Sequence, residues 1–62
     1  MELVRVGQIR RWKENTKNEQ FKIIKYRSFF CNMHYYIIEY LTDGRQQTIE
    51  ESQFKESVIC EE

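Results

Sequence analysis

Tyr35-Tyr36-Ile37-Ile38-Glu39-Tyr40-Leu41-Thr42-Asp43-Gly44-Arg45-Gln46-Gln47-Thr48-Ile49 carries aromatic and β-branched residues into an Asp-Gly pair and out into a polar stretch that closes on Ile49. That order predicts a β-hairpin. Asp tolerates the left-handed region and Gly enters it without steric cost, so Asp43-Gly44 suits the centre of a type I′ turn. With a two-residue loop, Thr42 faces Arg45, Tyr40 faces Gln47 and Ile38 faces Ile49, and Tyr36, Ile38, Tyr40 and Ile49 share one face. Ile37, Glu39 and Leu41 take the other face. A three-residue loop with a bulge at Gly44 slips the pairing by one and brings Ile37 opposite Ile49.

A chain of 62 residues holds one domain. At this size only about 60% of the unfolded chain's surface is buried on folding, so the core is small and association with a second copy would help it. No window approaches the ~20 apolar residues of a membrane span. Met1-Glu2-Leu3-Val4-Arg5 lacks the basic-then-apolar order of a signal peptide, so the expected location is the cytoplasm, with no membrane partner. Cys31 and Cys60 are expected to be reduced, half-buried residues. With His34 the only histidine and no Cys-x-x-Cys, neither a structural zinc site nor any other cofactor is expected.

Charge is zero overall and polarised along the chain. Residues 1–27 carry eight Lys or Arg against three Glu, a net +5, and residues 28–62 carry two against seven, a net −5. Three outcomes are open: balance within one molecule, a basic face for phosphate-bearing partners, or head-to-tail association of unlike patches.

Gly7 sits where a chain entering a sheet often needs a permissive backbone, and about Gln8 to Lys13 reads as a first strand. Glu14 to Glu19, polar and rich in Asn, reads as a loop. Gln20 to Arg27 reads as the second strand, with Phe21 and Ile23 on one face and Ile24 and Tyr26 on the other. A bulge near Ile24 would let Phe21, Ile23 and Tyr26 all point inward. Ser28 to Met33 is apolar for a connection. Either the strands extend into it as a ribbon, or Phe29 and Phe30 cover a barrel mouth, or they form an exposed patch for a partner. Glu50 to Phe54 suits one helical turn that drops Phe54 onto the core, and Lys55 to Cys60 a last short strand.

Five short strands, a central hairpin and a helical turn before the final strand predict an all-β fold, a small, strongly bent antiparallel barrel. The segments Val6 to Lys13, Phe21 to Ile24, Tyr36 to Arg45 and Ile49 to Phe54 resemble the small SH3-like barrel proteins of bacteriophages and prophages. The resemblance spans most of the chain and implies a five-stranded SH3-like barrel over residues 1–62. It also implies an accessory role, such as counter-defence binding of host components or nucleotide sequestration, with no functional motif that transfers residue by residue.

Cys31 and His34 invite comparison with thiol catalysis, but an activated thiolate needs an electropositive pocket and an oxyanion site that one small barrel hardly accommodates. Only Gly7 and Gly44 are glycines, so no phosphate-cradling loop exists. The chain is expected not to be an enzyme. Two binding hypotheses stand. In one, Phe29, Phe30, His34, Tyr35 and Tyr36 form an interface with a host protein or with a second copy of the chain, because aromatic residues are enriched at interfaces. In the other, Arg10, Arg11, Trp12, Lys13, Lys25, Tyr26 and Arg27 bind nucleic acid or a small phosphorylated nucleotide, cations holding phosphate beside stacking rings. Strand alternation places Arg10 and Trp12 on one side and Arg11 and Lys13 on the other.

Overall fold

The computed structural model describes residues 4–14, 19–29 and 33–61. Its elements are β1 (Ile9–Trp12), β2 (Gln20–Phe29), β3 (Met33–Tyr40), β4 (Gln46–Glu50), a 3₁₀ helix (Glu51–Glu56) and β5 (Ser57–Glu61). All pairings are antiparallel, in the order β4-β3-β2-β1-β5. Among the described residues no pairing joins β4 to β5, so the sheet is open, which corrects the expected closed barrel. The 3₁₀ helix runs between these two edge strands and seats Phe54 in the core at 2% exposure.

The hairpin forms with a register that differs from both expectations. Ile38 faces Gln47 and Tyr36 faces Ile49. The Tyr40 amide donates to the Arg45 carbonyl at 2.8 Å, and the Gly44 amide donates to the Tyr40 carbonyl at 2.9 Å. The loop is therefore Leu41 to Gly44, and Gly44 alone of its residues needs the glycine freedom of φ +77°. Side chains alternate with a period of two, so this two-residue slip from the tightest register leaves every residue on its expected face. Tyr36, Ile38, Tyr40 and Ile49 are all buried with Phe21, Ile23 and Phe54.

The β2 bulge falls where the apolar pattern places it. Ile23 pairs with Ile38 and Lys25 with Ile37, so Ile24 is the extra residue. Beyond it Tyr26 returns to the core face opposite Tyr36, but at 43% exposure it is not part of the core. The cause is strand length. β1 pairs with β2 only over Gln20 to Lys22, while β2 and β3 continue together to Phe29 and Met33. The strands thus run into the Ser28–Met33 connection as a ribbon; Phe30 and Cys31 lie outside the described residues, and Phe29 enters through its backbone alone. β5 begins at Ser57 rather than Lys55, because Lys55 and Glu56 complete the 3₁₀ helix.

Gly7 has φ +96°, and its amide donates to the Ile23 carbonyl at 2.7 Å while Ile23 donates back to Gln8 at 2.9 Å. This reciprocal pair lays the chain entering β1 against the start of the bulge. A Cβ at Gly7 would meet nothing within 4 Å, so the backbone angle and not space calls for glycine.

Candidate functional site

Arg10, expected among surface cations, is buried at 1% exposure. Its Nε donates to Gln8 Oε1 at 2.8 Å, and its Nη1 donates to Ser57 Oγ at 3.0 Å and to the Phe54 carbonyl at 3.4 Å. The guanidinium also lies 5.6 Å from the centre of the Phe54 ring. Ser57 Oγ donates to the Phe54 carbonyl at 2.6 Å. Arg10 therefore ties β1 to the end of the 3₁₀ helix, and it is not displayed for a ligand.

The other residues of the expected phosphate site divide between two faces. Trp12 lies on the core face, its ring 4.9 Å from Phe21 and 6.0 Å from Phe54. Tyr26 is on that face too. Arg11, Lys25 and Arg27 alternate onto the opposite, outer face, where Arg27 pairs with Tyr35 and Lys25 with Ile37. Lys13 is exposed past the end of β1, its amide donating to the Glu56 carbonyl at 2.9 Å. The seven residues do not form one site.

The expected interface residues divide likewise. Tyr35 is on the outer face, whereas His34 and Tyr36 belong to the core-facing side. There they meet Tyr26 in an array that neither expectation assembled. The His34 ring stacks on Tyr26 at 5.9 Å and 20° between planes, and the two share a hydrogen bond between Tyr26 Oη and His34 Nδ1 at 2.5 Å. Tyr26 is 5.1 Å from Tyr36, which meets Phe54 edge-on at 5.6 Å. Tyr36 Oη donates to Glu51 Oε2 at 3.1 Å. Burial, and after it the hydrogen bond to Glu51, push the Tyr36 phenol above its ordinary pKa.

The array grades from the exposed Tyr26 to the buried Tyr36. A groove of about 710 Å³ continues from Tyr36 and Glu51 past Ser52 and Lys55. On the other side of the 3₁₀ helix a groove of about 610 Å³ lies between Trp12, Tyr40, Ile49 and Gln53. The ribbon end thus presents ring faces, an imidazole and a carboxylate, groups that recognise apolar or cationic side chains.

Glu51 was not singled out from sequence, because its contact depends on where the 3₁₀ helix begins. Tyr26 was legible through the bulge. Cys60 is exposed and free, and among the described residues no group of three or more His, Cys, Asp or Glu is placed to hold a metal ion. No helix is long and apolar enough to cross a membrane. Comparison with protein-family models, with curated proteins and with solved structures finds no match.

Proposed function

We propose that this chain is a non-enzymatic binding module that engages a partner protein through the Tyr26–His34–Tyr36 array. The observation that carries this reading is Tyr26 itself, an aromatic ring 43% exposed yet held between two other rings and by a hydrogen bond. A ring already fixed in place loses little conformational entropy when a partner covers it, which is how aromatic anchors come to dominate interfaces. Glu51, bonded to Tyr36, favours a partner that presents a basic side chain next to an apolar one.

The strand order, with a 3₁₀ helix before the last strand, supports an SH3-like arrangement left open at the β4/β5 seam. With it we assign the role of a phage-type accessory protein that sequesters a host component in the host cytoplasm. Affinity capture from host lysate, with wild type beside Tyr26→Ala, tests the reading. A stoichiometric partner held by wild type and lost from the folded variant is the expected result. A partner held equally by both, or none at all, ends it.

A further inference from the structure

The β2 bulge has an effect on the outer face of the sheet as well as on the core. In an unbroken strand Lys22 would point away from Lys25 and Arg27, since their positions differ in parity. The extra residue at Ile24 restores the phase, so Lys22, Lys25 and Arg27 form one row on the outer face. Their neighbours on β3 are Glu39, Ile37 and Tyr35 in the same order, and Glu50 on β4 lies next to Tyr35. Among the described residues none of Lys22, Lys25, Arg27, Glu39 and Glu50 enters an ion pair; the pairs formed are those of Arg45 with Glu19 and Asp43. Ile37 and Tyr35 are only half-buried.

We propose that this outer face is self-complementary and that two copies of the chain pack on it, sheet against sheet. A twofold axis along the β2/β3 seam lays β2 of one copy over β3 of the other at the same height. Each Lys22 then meets the second copy's Glu39, the stem of each Lys25 crosses Ile37, and each Arg27 lies over Tyr35. Every contact occurs twice by symmetry. Sheets packed in this way stand about 10 Å apart, a distance that long side chains span from both sides. A polyanion on the same basic row is disfavoured, because Glu39 and Glu50 occupy the same face beside it. The net charge of zero suits a surface that neutralises itself.

Sedimentation equilibrium, or native mass spectrometry on the folded chain, tests the proposal. Wild type should dimerise more tightly as salt is lowered. Lys22→Glu and Glu39→Lys, each checked for fold by circular dichroism, should each weaken the dimer by about tenfold or more, because each sets like charges against one another. Mixed in equal amounts, they should form a heterodimer of wild-type strength, since each then meets its opposite. A wild type that stays monomeric, or a mixture that does not associate, overturns the proposal. So does a monomer that binds a single-stranded oligonucleotide and loses it on Lys22→Glu. This test does not involve Tyr26, so its result and that of the capture experiment are independent.

Discussion

Trp12 Nε1 donates to Tyr40 Oη at 2.8 Å, which joins β1 to β3 across the intervening β2. Two strands that are not neighbours can meet in this way only over the concave side of a curled sheet, and Phe21 lies beneath the contact with its ring 4.9 Å from Trp12 and 5.8 Å from Tyr40. The open sheet therefore holds its curvature through side chains where a closed barrel would use a further ladder of backbone bonds. Trp12→Phe and Tyr40→Phe should each cost about 1 kcal/mol, and the double change less than their sum, since the second removes a group already left unpaired. Urea unfolding of the four proteins measures the coupling. Strict additivity would mean that the bond contributes nothing to the curvature.

Adjacent cations in β1 should behave very differently. Arg10 is enclosed by Gln8, Phe54 and Ser57, whereas Arg11 is on the outer face. Arg10→Leu removes a donor each from the buried Gln8 Oε1, Ser57 Oγ and Phe54 carbonyl, together with the cation over the Phe54 ring, and is expected to cost about 3 kcal/mol. That is a large share of the roughly 3–9 kcal/mol a chain of this length possesses. Lys at position 10 should rescue little, because an ammonium cannot reach along two sides as the guanidinium fork does. Arg11→Leu should change stability by about 0.5 kcal/mol or less. Thermal melts of the three variants decide the matter; equal losses at both positions would contradict the burial of Arg10.

At the hairpin tip, Gly44→Ala should cost about 1 kcal/mol through its positive φ, because a Cβ there would meet only the Glu39 carboxylate oxygen, at 4.0 Å. Gly44→Asn should cost less, since Asn tolerates the left-handed region. Chemical denaturation of both gives the order, and an Ala variant as stable as wild type would argue for a different loop.

Much of this fold was legible because alternation survives a register error of two residues. The hairpin closes around four loop residues instead of two, yet the core face is the one that the apolar pattern predicts. The sequence could not distinguish the two-residue loop from the four-residue one: both put Ile49 on the core face, and the choice between them rests on tip contacts. Arg45 pairs with Asp43 at 2.6 Å and lies 4.6 Å from the Tyr40 ring centre, and neither contact is implied by an Asp-Gly pair. The shared side of Arg10 and Trp12 was equally legible, but burial of a cation depends on Phe54 and Ser57, which lie 44 and 47 residues away. The inward phase of Tyr26 followed from the bulge. Its exposure did not, since that reflects how early β1 stops.

Tyr36 makes stability depend on alkaline pH. Burial and the Glu51 hydrogen bond hold its phenol above the usual value near 10, so between the unfolded and folded pKa values the native state keeps a proton that the unfolded chain has released. This contribution is fully present below the unfolded pKa and is lost as pH rises through the folded one. Unfolding free energy should therefore fall as pH climbs above about 10, in addition to any fall from other groups. Tyr36→Phe should remove that part of the slope while costing about 1 kcal/mol at neutral pH through the lost bond to Glu51. Glu51→Gln should retain a shallower slope, because burial, the larger cause, remains. Denaturation curves from neutral to strongly alkaline pH for the three proteins provide the check, and identical slopes in wild type and Tyr36→Phe would show that Tyr36 ionises as freely in the fold as in the unfolded chain.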